Sequence, residues 1–238
     1  MNHKICSAYI SKSGETDHWS ISPCLCLCHS TSCGGANLIE QNRAIMNPHL
    51  TFKQYRRMDL FFFALILTVS ETLIILAGNR WFREQLYTVS AVAAVVGIVL
   101  ARWGTWAGIH AVLGGLVYCL AGKANPYQFL IYCAGNLLSL LGVFYLRHFG
   151  LKRIREDLLL TILYALCIQL LMQLGRALVA LVTGTPPHVC LNFFTTDALS
   201  SLFTCVIIWI AARLDGMLED QKTYLLRLSE EEKNKGGY

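Results

Sequence analysis

The sequence predicts an all-α membrane protein: a bundle of six transmembrane helices with both termini in the cytoplasm, followed by an amphipathic cytoplasmic C-terminal helix. Three observations carry that expectation. Hydrophobic residues make up 55% of the 238, charged ones only 15%, and the mean hydropathy is +0.47, too apolar for a water-soluble chain. The apolar residues fall in runs of roughly 18 to 25, enough for a helix to cross about 30 Å of hydrocarbon, and not in the short alternating segments of a barrel. Between the runs, Lys and Arg collect on alternate sides.

Residues 1–45 have mixed polarity and no sustained periodicity, and are expected to be a disordered extension or to precede a true start at Met46. Cys24, Cys26, Cys28, His29 and Cys33 lie close enough to suggest a metal clip. A Cys-x-Cys-x-Cys alternation lacks the paired Cys-x-x-Cys knuckles of zinc modules, however, and no second half-site follows, so neither metal nor cofactor is expected.

Residues 46–213 are the expected membrane domain, with helices at 60–77, 86–101, 104–121, 127–146, 158–183 and 195–213. One side of the runs carries Lys53, Arg56, Arg57, Arg102, Arg147, Lys152, Arg153, Arg155, Arg213, Lys222 and Arg227. The other has only Arg80, Arg83 and Lys123, so the first set is assigned to the cytoplasm of a bacterial cell. Small residues mark close packing faces: Gly104-x-x-x-Gly108 and Ala107-x-x-x-Ala111-x-x-x-Gly115 on the third helix, Ala64-x-x-x-Thr68-x-x-x-Thr72 on the first. His110, among the glycines, reads as a buried hydrogen-bonding residue. In residues 214–238, Leu214, Met217, Leu218, Gln221, Leu225 and Leu228 recur at three- and four-residue steps, predicting a helix on the membrane surface or against a partner.

The net charge of +5 is spread over short inter-helix segments, so no nucleic-acid partner is expected. There is no phosphate loop, no His-Glu-x-x-His and no Gly-x-Ser-x-Gly, and no nucleophile and base share one depth, which argues against an enzyme. Cys119, Cys133, Cys167, Cys190 and Cys205 read as small core residues.

Polar side chains in hydrocarbon cost a few kcal/mol each and must face protein, water or ligand. Glu71, Asn136, Gln173, Arg176 and Asp197 fall in the outer part of four different helices, at one level. Gln169, Gln173 and Arg176 share one helical face by their spacing, and Arg176 can pair with Glu71 or Asp197. Each pair alone can be read as a packing device, whereas the set suggests a water-filled pocket. Two acids and one arginine favour a ligand with a positive group. Asn79, Arg80 and Trp81 after the first helix, Tyr127 and Tyr132 at the start of the fourth, and Asn192, Phe193 and Phe194 before the sixth are candidate lids, although Trp81 and Tyr127 also suit interface anchoring.

Over roughly residues 50–215 the chain resembles the substrate-binding S components of energy-coupling factor (ECF) vitamin transporters. The resemblance lies in the six short helices with both ends inside, the Trp103-Gly-Thr-Trp-Ala-Gly-Ile-His-Ala-Val-Leu-Gly-Gly115 segment and the helix start Thr196-Asp-Ala-Leu-Ser-Ser-Leu-Phe203. It implies a subunit that binds a small polar nutrient such as a vitamin on the outer side. It also implies partners: a membrane coupling protein and ABC-type ATPases as separate subunits. Glu71, Asn136, Gln173, Arg176 and Asp197 would then line the site. The family's Ala-x-x-x-Ala docking face has Ala64-x-x-x-Thr68 as its nearest match here. The alternative expectation is a non-transport multi-helix scaffold of the cell envelope, using its Gly-rich faces and tail.

Overall fold

The computed structural model describes residues 52–81 and 89–235, and every element among them is helical. The Cys24–Cys33 cluster, the expected extension 1–45 and Arg83 lie outside the described residues.

The first apolar run forms α1, Phe52–Trp81, longer at both ends than its apolar core at 60–77. Phe61, Leu65, Val69, Leu73 and Leu76 are all more than half exposed along it, while Phe63, Leu67 and Glu71 turn inward. A row of large exposed apolar side chains is unfavourable in water and suits lipid. The second run forms α2, Val92–Trp103, in which every residue from Val92 to Arg102 is buried. At about 18 Å, α2 is shorter than the hydrocarbon layer.

The chain reverses at Gly104, whose φ of +60° is strained for a residue with a Cβ. A short 3-10 turn, Gly104–Trp106, leads into α3, Ala107–Ala121. By length and apolarity Val92–Ala121 qualifies as one span. It is nevertheless a hairpin: a Cβ at Gly114 would lie 2.6 Å from Val92 Cγ1, though 22 residues of straight helix would separate them by about 33 Å. Neighbours approach the small face expected on this segment from Ala107 to Gly115, whereas a Cβ at Gly104, in the turn, would meet nothing within 4 Å. Ala107 and Ala111 are fully buried, and the Gly115 Cα stands against the Tyr132–Cys133 backbone.

Asn125 opens α4, Pro126–Gly135, with a capping box: its side chain accepts from the backbone three residues on, and Gln128 Oε1 accepts from its N–H at 2.8 Å. The helix tightens to 3-10 geometry over Asn136–Leu141 and resumes as α5, Gly142–Phe149. Gly150, φ +78°, admits the short α6, Leu151–Glu156. Asp157 then caps α7, Leu158–Val182, accepting from Leu159 N at 2.9 Å.

The sixth expected helix, 195–213, is broken. α8, Pro187–Thr196, and α9, Ala198–Arg213, meet at a bend of 42° with Asp197 at the joint. The amphipathic period at 214–228 was expected to be helical throughout. Instead Leu214–Asp220 is turn and bend, with Gly216 at φ +71°, and helix α10 begins only at Gln221 and runs to Lys235. Leu218 and Gln221 are buried there, but through a folded-back loop and not along one helical stripe.

Among the described residues, four helical stretches, or five if α8 and α9 are one bent span, are long and apolar enough to cross a membrane, as expected of a membrane protein. The core gathers α2, α3, α5, α7 and α9 around Val96, Leu100, Tyr164, Ile168 and Ile208.

Candidate functional site

Four of the candidate residues converge through hydrogen bonds. Arg176, on α7, is 5% exposed. Its Nε donates to Asn136 Oδ1 at 2.8 Å, and one terminal nitrogen donates to Asp197 Oδ2 at 3.0 Å and to Gln173 Oε1 at 3.5 Å. Gln173 Nε2 also donates to Asp197 Oδ2, and Asn136 Nδ2 donates to the Ala111 carbonyl at 3.0 Å. The break at Asp197 makes this possible, because it leaves the carboxylate at a helix joint facing α7.

The other terminal nitrogen of Arg176 is less well served. It donates to Met172 Sδ at 3.4 Å, and a thioether is a weak acceptor for a charged donor. The guanidinium also lies 4.8 Å from the centre of the Tyr132 ring, which packs at 4.5 Å and a 35° tilt on Tyr118 and meets Phe193 edge-on at 6.3 Å. Tyr118 had no distinguishing signal in the sequence, being one aromatic in an apolar run.

Helices α4 and α7 reach this geometry through a glycine crossing. The Gly135 Cα lies so close to Gly175 and Arg176 that a Cβ there would stand 2.6 Å from Arg176 Cα. Small residues at this crossing hold the Arg176 backbone against the start of the 3-10 segment that carries Asn136.

Glu71 is fully buried at the same end of the bundle but does not take Arg176 as its hydrogen-bond partner, so of the two acids considered for Arg176 the ion pair goes to Asp197. The Glu71 carboxylate accepts from Ser90 Oγ and from Ala91 N, both at 2.9 Å, and so caps the start of α2 from another helix. Ser90 N in turn donates to Ser200 Oγ at 3.1 Å, three residues along α9 from Asp197. Both acids are therefore engaged by protein donors, which removes the basis for expecting a positive group on a ligand.

Most of the candidate lids do not join this cluster. Asn79, Arg80, Trp81, Tyr127 and Asn192 are exposed, Trp81 and Tyr127 at 74%; of the aromatic lids Tyr132 meets the Arg176 guanidinium, and Phe193 packs on Tyr132. Asn192 serves locally, its carbonyl accepting from Thr195 and Thr196 hydroxyls. His110 Nε2 lies 3.0 Å from the Leu60 carbonyl, the structural role expected of it.

Comparison with known proteins found no matching family model, no similar curated protein and no solved structure of similar fold.

Proposed function

We propose that the chain is the substrate-binding membrane subunit of an ECF-type importer for a small polar nutrient such as a vitamin, residing in a bacterial plasma membrane. The observation that carries this reading is the buried Arg176 guanidinium, one nitrogen of which rests on Met172 sulfur while the Tyr132 ring lies against the group. A carboxylate or carbonyl oxygen of a solute is a far better partner for that nitrogen, and Met172 is flexible enough to give way to it. Asn136, Gln173 and Asp197 hold the arginine in place, with Glu71 fixing the adjoining start of α2. Asn79, Arg80, Trp81, Tyr127 and Asn192 belong to the entrance.

The reading takes α2 and α3 as separate crossings and α8–α9 as one, giving six spans with both ends inside. The short α2 suits this because its neighbours shield it from lipid. On this reading, a separate coupling protein and ABC-type ATPases supply the energy.

Native mass spectrometry of protein purified from its own host in mild detergent tests the site. The wild type should carry a small molecule, and Arg176→Ala should lose it at least roughly tenfold while keeping its helical content; Arg176→Lys, which keeps charge but not the planar fork, should retain only part. A solute held equally well by Arg176→Ala refutes the assignment. The rival reading as an envelope scaffold is favoured by one observation: Asn136, Gln173, Arg176 and Asp197 hydrogen-bond one another. It predicts tightly held protein partners, lost on changes at Gly108 or Leu225 and indifferent to Arg176→Gln.

A further inference from the structure

Two buried polar atoms lie inward of Arg176. Gln169, 3% exposed, and Thr204, fully buried, have an Oε1 and an Oγ1 without a hydrogen-bond partner among the described residues. Buried polar groups are nearly always paired, so two such atoms on facing helices call for an explanation.

Their positions relate them to the site. Gln169 precedes Gln173 by four residues and Arg176 by seven, on the same face of α7; Thr204 follows Ser200 by four and Asp197 by seven, on the same face of α9. The two helices run antiparallel, because Arg176 meets Asp197 at one level while Ile168 and Ile208 both approach Gly97 at another. Gln169 and Thr204 therefore fall between that apolar floor and the Arg176–Asp197 pair. Met172, which receives the weakly bound nitrogen of Arg176, lies on α7 between Gln169 and Arg176.

We propose that Gln169 and Thr204 form the inner end of the substrate site, taking a hydrogen-bond-donating group (hydroxyl, amide or amine) of an elongated solute whose acceptor end meets Arg176. The amide oxygen of Gln169 accepts only, and the Thr204 hydroxyl either donates or accepts, so a donor group on the solute satisfies both. Seven residues of helix separate the two ends, setting a ligand length of about 10 Å. Ile168 and Ile208 close the site below. This inference rests on the function proposed above and adds the polarity and length of the ligand.

Two measurements test it. In the first, Thr204→Cys protein in detergent is treated with methanethiosulfonate ethylammonium, a small cationic thiol reagent, and labelling is located by peptide mass mapping against wild type treated in parallel. The introduced thiol should label, more slowly than an Asn192→Cys thiol at the exposed entrance. In the second, Gln169→Leu protein purified from the host should retain the co-purified solute roughly tenfold less than wild type while melting no lower, because the replacement removes a buried unsatisfied acceptor. An unlabelled Thr204→Cys thiol, or full solute retention by Gln169→Leu, overturns the inner site whatever Arg176→Ala does. Labelling in a protein that carries no solute even as wild type leaves access to Thr204 standing and overturns the importer reading instead.

Discussion

Gly175→Ala should destabilise the protein by about 3 kcal/mol or more, a large effect for one methyl group. A Cβ at this position would stand 2.0 Å from the Gly135 carbonyl oxygen and 2.7 Å from Leu138 Cβ. Those are backbone and near-backbone atoms, which have no rotamer to move to, so relief requires α4 and α7 to separate. Separation in turn stretches the 2.8 Å contact between Arg176 Nε and Asn136 Oδ1, so solute occupancy should fall together with stability. Gly78→Ala is the control. A Cβ there meets nothing within 4 Å in the interior of α1, so helix propensity alone should leave it unchanged or stabilised by up to about 1 kcal/mol. Thermal unfolding of both variants in one detergent makes the comparison, and equal melting would show that the crossing tolerates a side chain.

The polar cluster around Arg176 was legible in the sequence because membrane depth is a strong constraint. Asn136, Gln173, Arg176 and Asp197 lie at matching heights on three apolar runs, and few positions in a run of that kind tolerate a charge. Depth does not fix rotation about a helix axis, which is why the choice between Glu71 and Asp197 as the partner of Arg176 stayed open. The choice turned on the break at Asp197 and on the unpaired N–H groups at the start of α2, which draw Glu71 away. Ser90 and Ser200 carried no signal at all, since serine is common at helix starts and among apolar residues alike. The exposed lids stand apart from the cluster for a related reason: an aromatic or basic residue beyond a helix end is equally suited to a pocket mouth and to the lipid headgroup layer. In the tail, the three- and four-residue period of Leu214 to Leu228 looked helical because side-chain spacing does not register the backbone φ of +71° that Gly216 adopts. The reversal at Gly104 was legible, as the boundary between two runs, and the hairpin follows from it.

Asp59 carries no distinguishing signal in the sequence, yet its loss should have an equally large effect. The sequence makes it an ordinary charge near a helix start, where acids are inexpensive, and makes Arg102 a marker of the cytoplasmic side. In the fold they are one buried fork. Arg102, 5% exposed, donates from Nε and a terminal nitrogen to the two Asp59 oxygens at 3.0 and 2.9 Å, and Trp103 Nε1 donates to Asp59 as well. The remaining nitrogen of Arg102 donates to the carbonyl of Gly216 and, at 3.4 Å, to that of Met217, in the loop before α10. Gln221 strengthens the same junction, donating to Gly216 O at 2.8 Å and accepting from Tyr55 at 3.1 Å. By contrast, the Arg155–Glu219 and Arg227–Glu219 bridges nearby are partly exposed and contribute little. Asp59→Ala leaves a buried cation without its counter-charge and should cost about 3–5 kcal/mol. It should also loosen the tail, speeding tryptic cleavage after Lys222. The double replacement Asp59→Leu with Arg102→Met removes both charges and should recover most of the melting temperature. It leaves the Gly216 and Met217 carbonyls without their arginine donor, so the tail should still be cut quickly. Recovery of stability without recovery of protease resistance separates the two roles of Arg102, the ion pair within the bundle and the tether to the tail. Wild-type tail cleavage in the double variant would show that Gln221 and Tyr55 hold the tail by themselves.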